Sequence, residues 1–475
     1  MSGDRSGDRP NIVVVLTDQH RADAIGCAGV LPIKTPHLDR LAAGGVRWSH
    51  AVCNTPECVP ARATLLTGLE AHESGVAHNS TPLRAGGWTF VRALRAAGYR
   101  SWAVGKQHFR PHRADHGFDE LVLGEPLARD GDDYLDYLDS VGYGWVDEPW
   151  GRRADHYYLP QVSVLPHEHH HTTWTAEQAI RLIERPTSEP FVGVVGFLKP
   201  HPPFDPTVPF THMYRPEELR APIDANGSLR SFPIEVAQNH MKWRDETSKE
   251  LALSLRAAYF ASVSQVDAEI GRILGAIEPI ARTTVVVFVA DHGELLGDHG
   301  LWGKRSFLGG SLQIPLIIRR PDETNPGRVV EDLVSQRDVG PTILGLAGLP
   351  VPQNLAGTDL FGGGPARSEA LVAAYGTGDL GVVAHLTTTH RWSYSLAGGR
   401  QRLFDLRADP EETQNLVEND PDHPTAAAAR ASVEDELGRR GNVLGYLDDG
   451  GRLRVAALET VRRRFPRNNQ RGRRG

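Results

Sequence analysis

Residues 11–19 read NIVVVLTDQ: five apolar side chains in a row, then a threonine, an acid and an amide. An unbroken apolar run rich in valine reads as a strand buried on both faces, the mark of a parallel sheet covered by helices. Asp18 and Gln19 stand at its carboxyl end. The pattern returns at TTVVVFVA (283–290), which Asp291 and His292 follow, and at Phe191–Phe197, which leads into LKPHPPF. Tyr99–Val104 is a further strand ending in GKQH, and Val46–Val52 is strand-like too. Helical patterns lie between these strands. TPHLDRLAAGG (35–45) closes on Gly44–Gly45, and Thr89–Ala97 closes on Gly98. The stretch 172–185 sets Ala176, Ala179, Ile180 and Ile183 on one face, and Ala257–Ile277 is a long helix. Alternating strands and helices predict an α/β domain with a mostly parallel sheet. Ligands of such sheets bind beyond the carboxyl ends of the strands. Four polar clusters, at 18–19, 106–108, 199–201 and 291–292, each follow a predicted strand, so one composite site is expected there.

Asp18, Gln19, Asp291 and His292 make an oxygen-rich set with one imidazole, which suits a hard divalent cation such as Ca²⁺, Mg²⁺ or Mn²⁺. NTPECVPARATLLTG (54–68) places Cys58 where a helix begins, with Pro60 in its first turn. The positive end of a helix dipole favours an anion, and Arg62, one turn on, offers a guanidinium to the same anion. A buried structural cysteine beside a capped helix is the plain alternative. Lys106 and His108 lie in GKQH, His201 among prolines, and Lys304 on the glycine-rich loop after Asp291-His292. Singly, each is more often a surface residue or a satisfied histidine. Converging on a metal and a nucleophile, they describe a site that stabilises a charged transition state. HEHHH (167–171) lacks helical spacing and reads as a loop at the mouth of the site.

The chain has 475 residues, enough for two domains, and is 40% apolar and 23% charged, an ordinary globular composition. A net charge of −7, with no basic stripe before the last residues, argues against a nucleic-acid partner. MSGDRSGDRP has no apolar core, and no segment approaches about 18 apolar residues, so a cytoplasmic protein without membrane contact is expected. The composition changes near GGGPAR (362–367). Short strand-like segments follow at 369–375, 382–388, 390–396 and 402–405, then a helix at 425–439. The expected organisation is a catalytic α/β domain over 10–365, a small antiparallel-sheet domain over 366–460, and a tail over 461–475 with seven arginines and no acid.

At this point the motifs resemble a known family. Cys58-Val59-Pro60-Ala61-Arg62 followed by Leu65–Gly68 resembles the signature of type I sulfatases of the alkaline phosphatase superfamily. NIVVVLTDQHRAD, VGKQHF, ADHGELLGDHGLWGK with IPLIIRRP, and LFDLRADPEETQNL are similar to further segments of that family, in its order, from residue 10 to about 416. The resemblance implies an alkaline-phosphatase-like fold and one divalent metal, with Ca²⁺ favoured, held by Asp18, Gln19, Cys58, Asp291 and His292. It implies oxidation of Cys58 to Cα-formylglycine by a formylglycine-generating enzyme. One oxygen of the aldehyde hydrate would attack sulfur, and the other would lose its proton and expel sulfate. Arg62, Lys106, His108, His201 and Lys304 would hold the sulfate and the leaving group, with Asn79 near the metal. The implied substrate is a small-molecule or saccharide sulfate ester; oligomeric state is left open.

The chain departs from the commonest sulfatase pattern. Ala61 replaces the usual serine, and Gln19 and His292 resemble the phosphonate monoester hydrolase and choline-sulfatase branches. KPHPPF and MYRPEEL are also similar to the phosphonate hydrolases, while Lys106-Gln107-His108 looks more like sulfatases. A phosphonate monoester and phosphodiester hydrolase with the same nucleophile is therefore the first alternative. A sulfated-ligand binder whose Cys58 is never converted is the second.

Overall fold

The computed structural model describes residues 9–126, 131–153, 157–224, 232, 234–235, 247–363 and 371–459. The opening run becomes strand β1 (Asn11–Asp18), buried throughout after Asn11. It lies inside an eight-stranded sheet with β2 (Val46–Val52), β3 (Arg100–Gly105), β4 (Glu120–Leu123), β5 (Phe191–Pro200), β6 (Thr284–Ala290), β7 (Leu316–Arg319) and β8 (Arg328–Ser335). The order across the sheet is β4-β3-β5-β1-β6-β7-β2-β8. β1 pairs in parallel with β5 on one side and β6 on the other. Only β7 runs against its neighbours, β6 and β2, so the sheet is mixed but mostly parallel.

The strand period of two divides the core. Val13 and Val15 pack against the helices Pro36–Ala43, His171–Ile183 and Lys249–Ile277 through Leu38, Ala179 and Ile270, among others. Ile12, Val14 and Leu16 pack the other way, with Phe90 and Leu94 of the helix Phe90–Ala96 and Ile343 of the helix Val339–Leu346. Each such side chain contributes about 1.5–3 kcal/mol by leaving water. Burial on both faces is why β1, β5 and β6 carry unbroken apolar runs.

Strands β9 (Leu371–Tyr375), β10 (Val382–Leu386), β11 (His390–Ser395) and β12 (Arg400–Asp405) form a second, antiparallel sheet in the order β12-β11-β10-β9. Leu371, Ala373 and Val382 join the core of the large sheet. Val372, Val383 and Trp392 pack on the other side, against Ala429 and Val433 of the helix Pro424–Arg439. The expected border at 365/366 and the basic tail at 461–475 lie outside the described residues.

Two local readings change. The long helix begins at Lys249 rather than Ala257, where Ser248 accepts the Leu251 N–H at 3.2 Å as its N-cap. HEHHH is a single 3₁₀ turn, His167–His169, running into a helix that opens at His171. Its histidines are engaged separately, His169 with Tyr137, His170 with Gln265 and His171 with the Gly124 carbonyl. No helix of the described residues is long and apolar enough to cross a membrane.

Candidate active site

The site lies where β1 and β6 end. Asp18 closes β1 and Asp291 follows β6, its N–H donating to the Thr17 carbonyl at 3.0 Å. Gln336 Nε2 pins this corner by donating to the Ala290 and Asp291 carbonyls, each at 2.7 Å. The wholly buried helix Cys58–Thr67 points its N-terminus into the same place, with Cys58 as its first residue. Gly68 ends it in the left-handed region, at φ 68°. Asn79 Oδ1 accepts the Val59 N–H at 2.9 Å, and Arg305 Nε donates to Glu57 Oε1 at 2.8 Å, so side chains fix both residues flanking Cys58.

Asp18, Cys58, Asp291 and His292 each present an atom able to bind a metal, and these atoms lie within 4.8 Å of one another, all buried. His292 Nδ1 donates to the Gly293 carbonyl at 2.9 Å, which leaves Nε2 a lone pair turned to the cluster. Gln19 N–H donates to Asp291 Oδ1 at 2.9 Å. The Gln19 amide nitrogen is bound by Tyr158 and Glu294, while its buried Oε1 has no partner. Two carboxylates, an orphaned amide oxygen and an imidazole lone pair fit a divalent cation.

Cations crowd the cluster. Lys304 Nζ is 2.7 Å from Cys58 Sγ and 3.1 Å from His292 Nε2. Lys106 Nζ pairs with Asp18 Oδ2 and lies 3.9 Å from Cys58 Sγ. Arg62, expected to face the substrate anion, instead braces the carboxylates: Nε is 3.1 Å from Asp291 Oδ2 and Nη2 is 3.3 Å from Asp18 Oδ2. Its Nη1 donates to the Lys106 carbonyl at 2.6 Å. Burial raises the Asp18 carboxyl, but Lys106, His201, Lys304 and Arg62 together hold it well below the usual range. Burial and Asp18 push Asp291 up to about 6. Burial and Asp18 also raise the Cys58 thiol, yet Lys106, Lys304 and His292 bring it well below the ordinary value.

The remaining expected residues divide. His201 Nε2 lies 3.4 Å from Tyr157 OH, and its field interacts with Asp18, so it borders the site. Burial and the nearby Lys304 lower its imidazole well below the ordinary value. Asn79 holds the helix N-terminus through its Oδ1, beside Cys58. His108 sits in the left-handed region at φ 61°, and among the described residues no hydrogen bond or ion pair links its side chain to Cys58, Asp18 or Asp291. It was expected to project with Lys106, but both lie beyond the end of β3 at Gly105, and the left-handed backbone at His108 breaks the strand alternation that expectation needed. Tyr157, Tyr158, Glu294 and Gln336 were not foreseen. Glu294 alone carried a signal, as an acid two residues beyond His292.

Fold and site together place a buried cluster able to hold a metal at the carboxyl ends of a mostly parallel sheet. The chain belongs to the sulfatase family, whose model, described as Sulfatase, matches residues 10–349. It is a member of the sulfuric ester hydrolase class. It is 26% identical to an arylsulfatase of Clostridium perfringens, over 96% of this chain and 99% of that one. It is 27% identical to a choline-sulfatase of Rhizobium meliloti, over 90% of this chain and 86% of the other. Among solved structures it is similar to the phosphonate monoester hydrolase of Agrobacterium radiobacter, with a TM-score of 0.80 and 26% identity, covering 93% of this chain and 98% of that one.

Proposed function

We propose that this chain hydrolyses sulfate monoesters of small molecules or saccharides, with a nucleophile made from Cys58. The observation that carries the reading is the place of Cys58, buried at a helix N-terminus within 3.3 Å of His292 Nε2 and 2.7 Å of Lys304 Nζ. Converted to formylglycine by its generating enzyme, position 58 would supply a geminal diol, one oxygen to attack sulfur and one to lose a proton and release sulfate. A divalent cation, Ca²⁺ by resemblance to sulfatases, would be held by Asp18, Gln19, Asp291 and His292 and supply Lewis acidity. Lys106, His201 and Lys304 would hold the sulfate oxygens and the leaving group. Arg62 would keep Asp18 and Asp291 apart and ionised. Its charge with Lys106 and Lys304 exceeds that of the two carboxylates by one, three against two, before any cation is counted. An anionic ester suits that balance. With Cys58 converted, Cys27 and Cys53 would remain as unbridged thiols, in keeping with a reducing compartment such as the cytoplasm.

The likeness to a phosphonate monoester hydrolase supports a second reading, cleavage of phosphonate monoesters and phosphodiesters at the same centre, with Mn²⁺ as the ion. The ratio of kcat/KM for 4-nitrophenyl sulfate to that for phenyl phosphonate tests the two. The sulfatase reading expects the sulfate to be favoured by about tenfold or more. A phosphonate reaction faster by orders of magnitude would select the other.

A further inference from the structure

Glu294 is fully buried two residues after His292, and nothing in the proposed chemistry uses it. Among the described residues its carboxylate makes four hydrogen bonds, all from donors. Oε1 accepts the N–H groups of Leu296, at 3.0 Å, and of Gly303. Oε2 accepts the amide nitrogen of Gln19 and, at 3.1 Å, the Tyr158 hydroxyl. Having donated its proton to Glu294, the Tyr158 oxygen receives the second Gln19 N–H at 3.4 Å. Both hydrogens of the Gln19 amide are therefore committed, and the buried Oε1 left without a partner must face away from them. A flipped amide would set its oxygen against a carboxylate and lose both bonds. The Gln19 backbone is fixed as well, by Asp291 at its N–H and by Tyr259 at its carbonyl.

We infer that Glu294, assisted by Tyr158, is a positioning residue that fixes the Gln19 amide so that only its carbonyl oxygen is offered to the metal. The same carboxylate binds the N–H of Gly303, the residue before Lys304, so one buried acid ties a metal-ligand side chain to the loop that carries the lysine beside Cys58. Outer groups of this kind set ligand orientation and govern metal affinity. The inference rests on the reading of Asp18, Gln19, Asp291 and His292 as the metal site.

The test is calorimetric titration of chelator-stripped full-length protein with Ca²⁺ and, separately, Mn²⁺, with a thermal melt of each variant. Glu294→Gln places an NH₂ against the Gln19 NH₂, and its affinity should fall about 10- to 100-fold. Gln19→Glu opposes two carboxylates and should weaken binding likewise. The double variant Gln19→Glu/Glu294→Gln restores donor to acceptor and should recover affinity to within about threefold, a coupling that a merely structural role would not produce. If Glu294→Gln does not fold, Tyr158→Phe reads the same contact and should lower affinity several-fold. Unchanged affinity in a folded Glu294→Gln or Tyr158→Phe variant, or a double variant no better than either single, overturns the inference. Wild-type protein that binds neither ion, or binds equally with Asp18→Asn, overturns the metal site itself and this inference with it.

Discussion

Lys304 Nζ lies 2.7 Å from Cys58 Sγ, joining residues 246 positions apart in the chain. The lysine also reaches His292 Nε2, and only about a tenth of its side chain is exposed. A fixed ammonium beside the reacting atom stabilises charge that develops there. Lys304→Met, close in volume and uncharged, should lower kcat/KM for an aryl sulfate about 10²- to 10³-fold with little change in melting temperature. Near wild-type turnover would remove Lys304 from the site.

Arg62 carries a different expectation once its partners are seen. It lies between Asp18 and Asp291, with 4% of its side chain exposed. Removing one member of a buried charge network leaves the others uncompensated, at about 3–5 kcal/mol. Arg62→Ala should lose turnover and also about that much stability in urea, measured on metal-free protein. A loss below about 1 kcal/mol would show that the carboxylates do not depend on it.

Glu70 predicts a pH effect away from the Cys58 cluster. It accepts from Arg337 Nη1 at 2.8 Å and Asn54 Nδ2 at 2.7 Å, yet burial outweighs the arginine and pushes its carboxyl from 4.5 to about 7. A carboxyl raised on folding contributes stability in full below its unfolded pKa and loses it as pH rises through the folded one. The stability advantage of wild type over Glu70→Gln should shrink by about 3 kcal/mol between pH 4.5 and 8. Urea melts across that range check it, and a constant difference would contradict it.

The sheet was legible because β1, β5 and β6 are buried on both faces, so their sequences lack polar interruption. The polar groups beyond β1 and β6 then marked the buried cluster of Asp18, Asp291 and His292 without any contact information. The antiparallel insertion of β7 was not legible, since a four-residue apolar strand has the same pattern in either direction. Side-chain partners were not legible either. Arg62 is one turn from Cys58, which suggested a shared anion, but its guanidinium turns back to β1 and β6. The bond of Asn79 Oδ1 to the Val59 N–H, beside Cys58, was not legible either. Tyr158 belongs to a segment with no periodicity, and only tertiary contact reveals its bond to Glu294.

The central claim is that the nucleophile is made from Cys58, and the most direct measurement is the intact mass of the peptide spanning that residue, from protein that turns over an aryl sulfate. Conversion of thiol to aldehyde lowers the mass by about 18 Da, and the account predicts that peptide in active preparations and no turnover in Cys58→Ala. An unmodified thiol in fully active protein would contradict it.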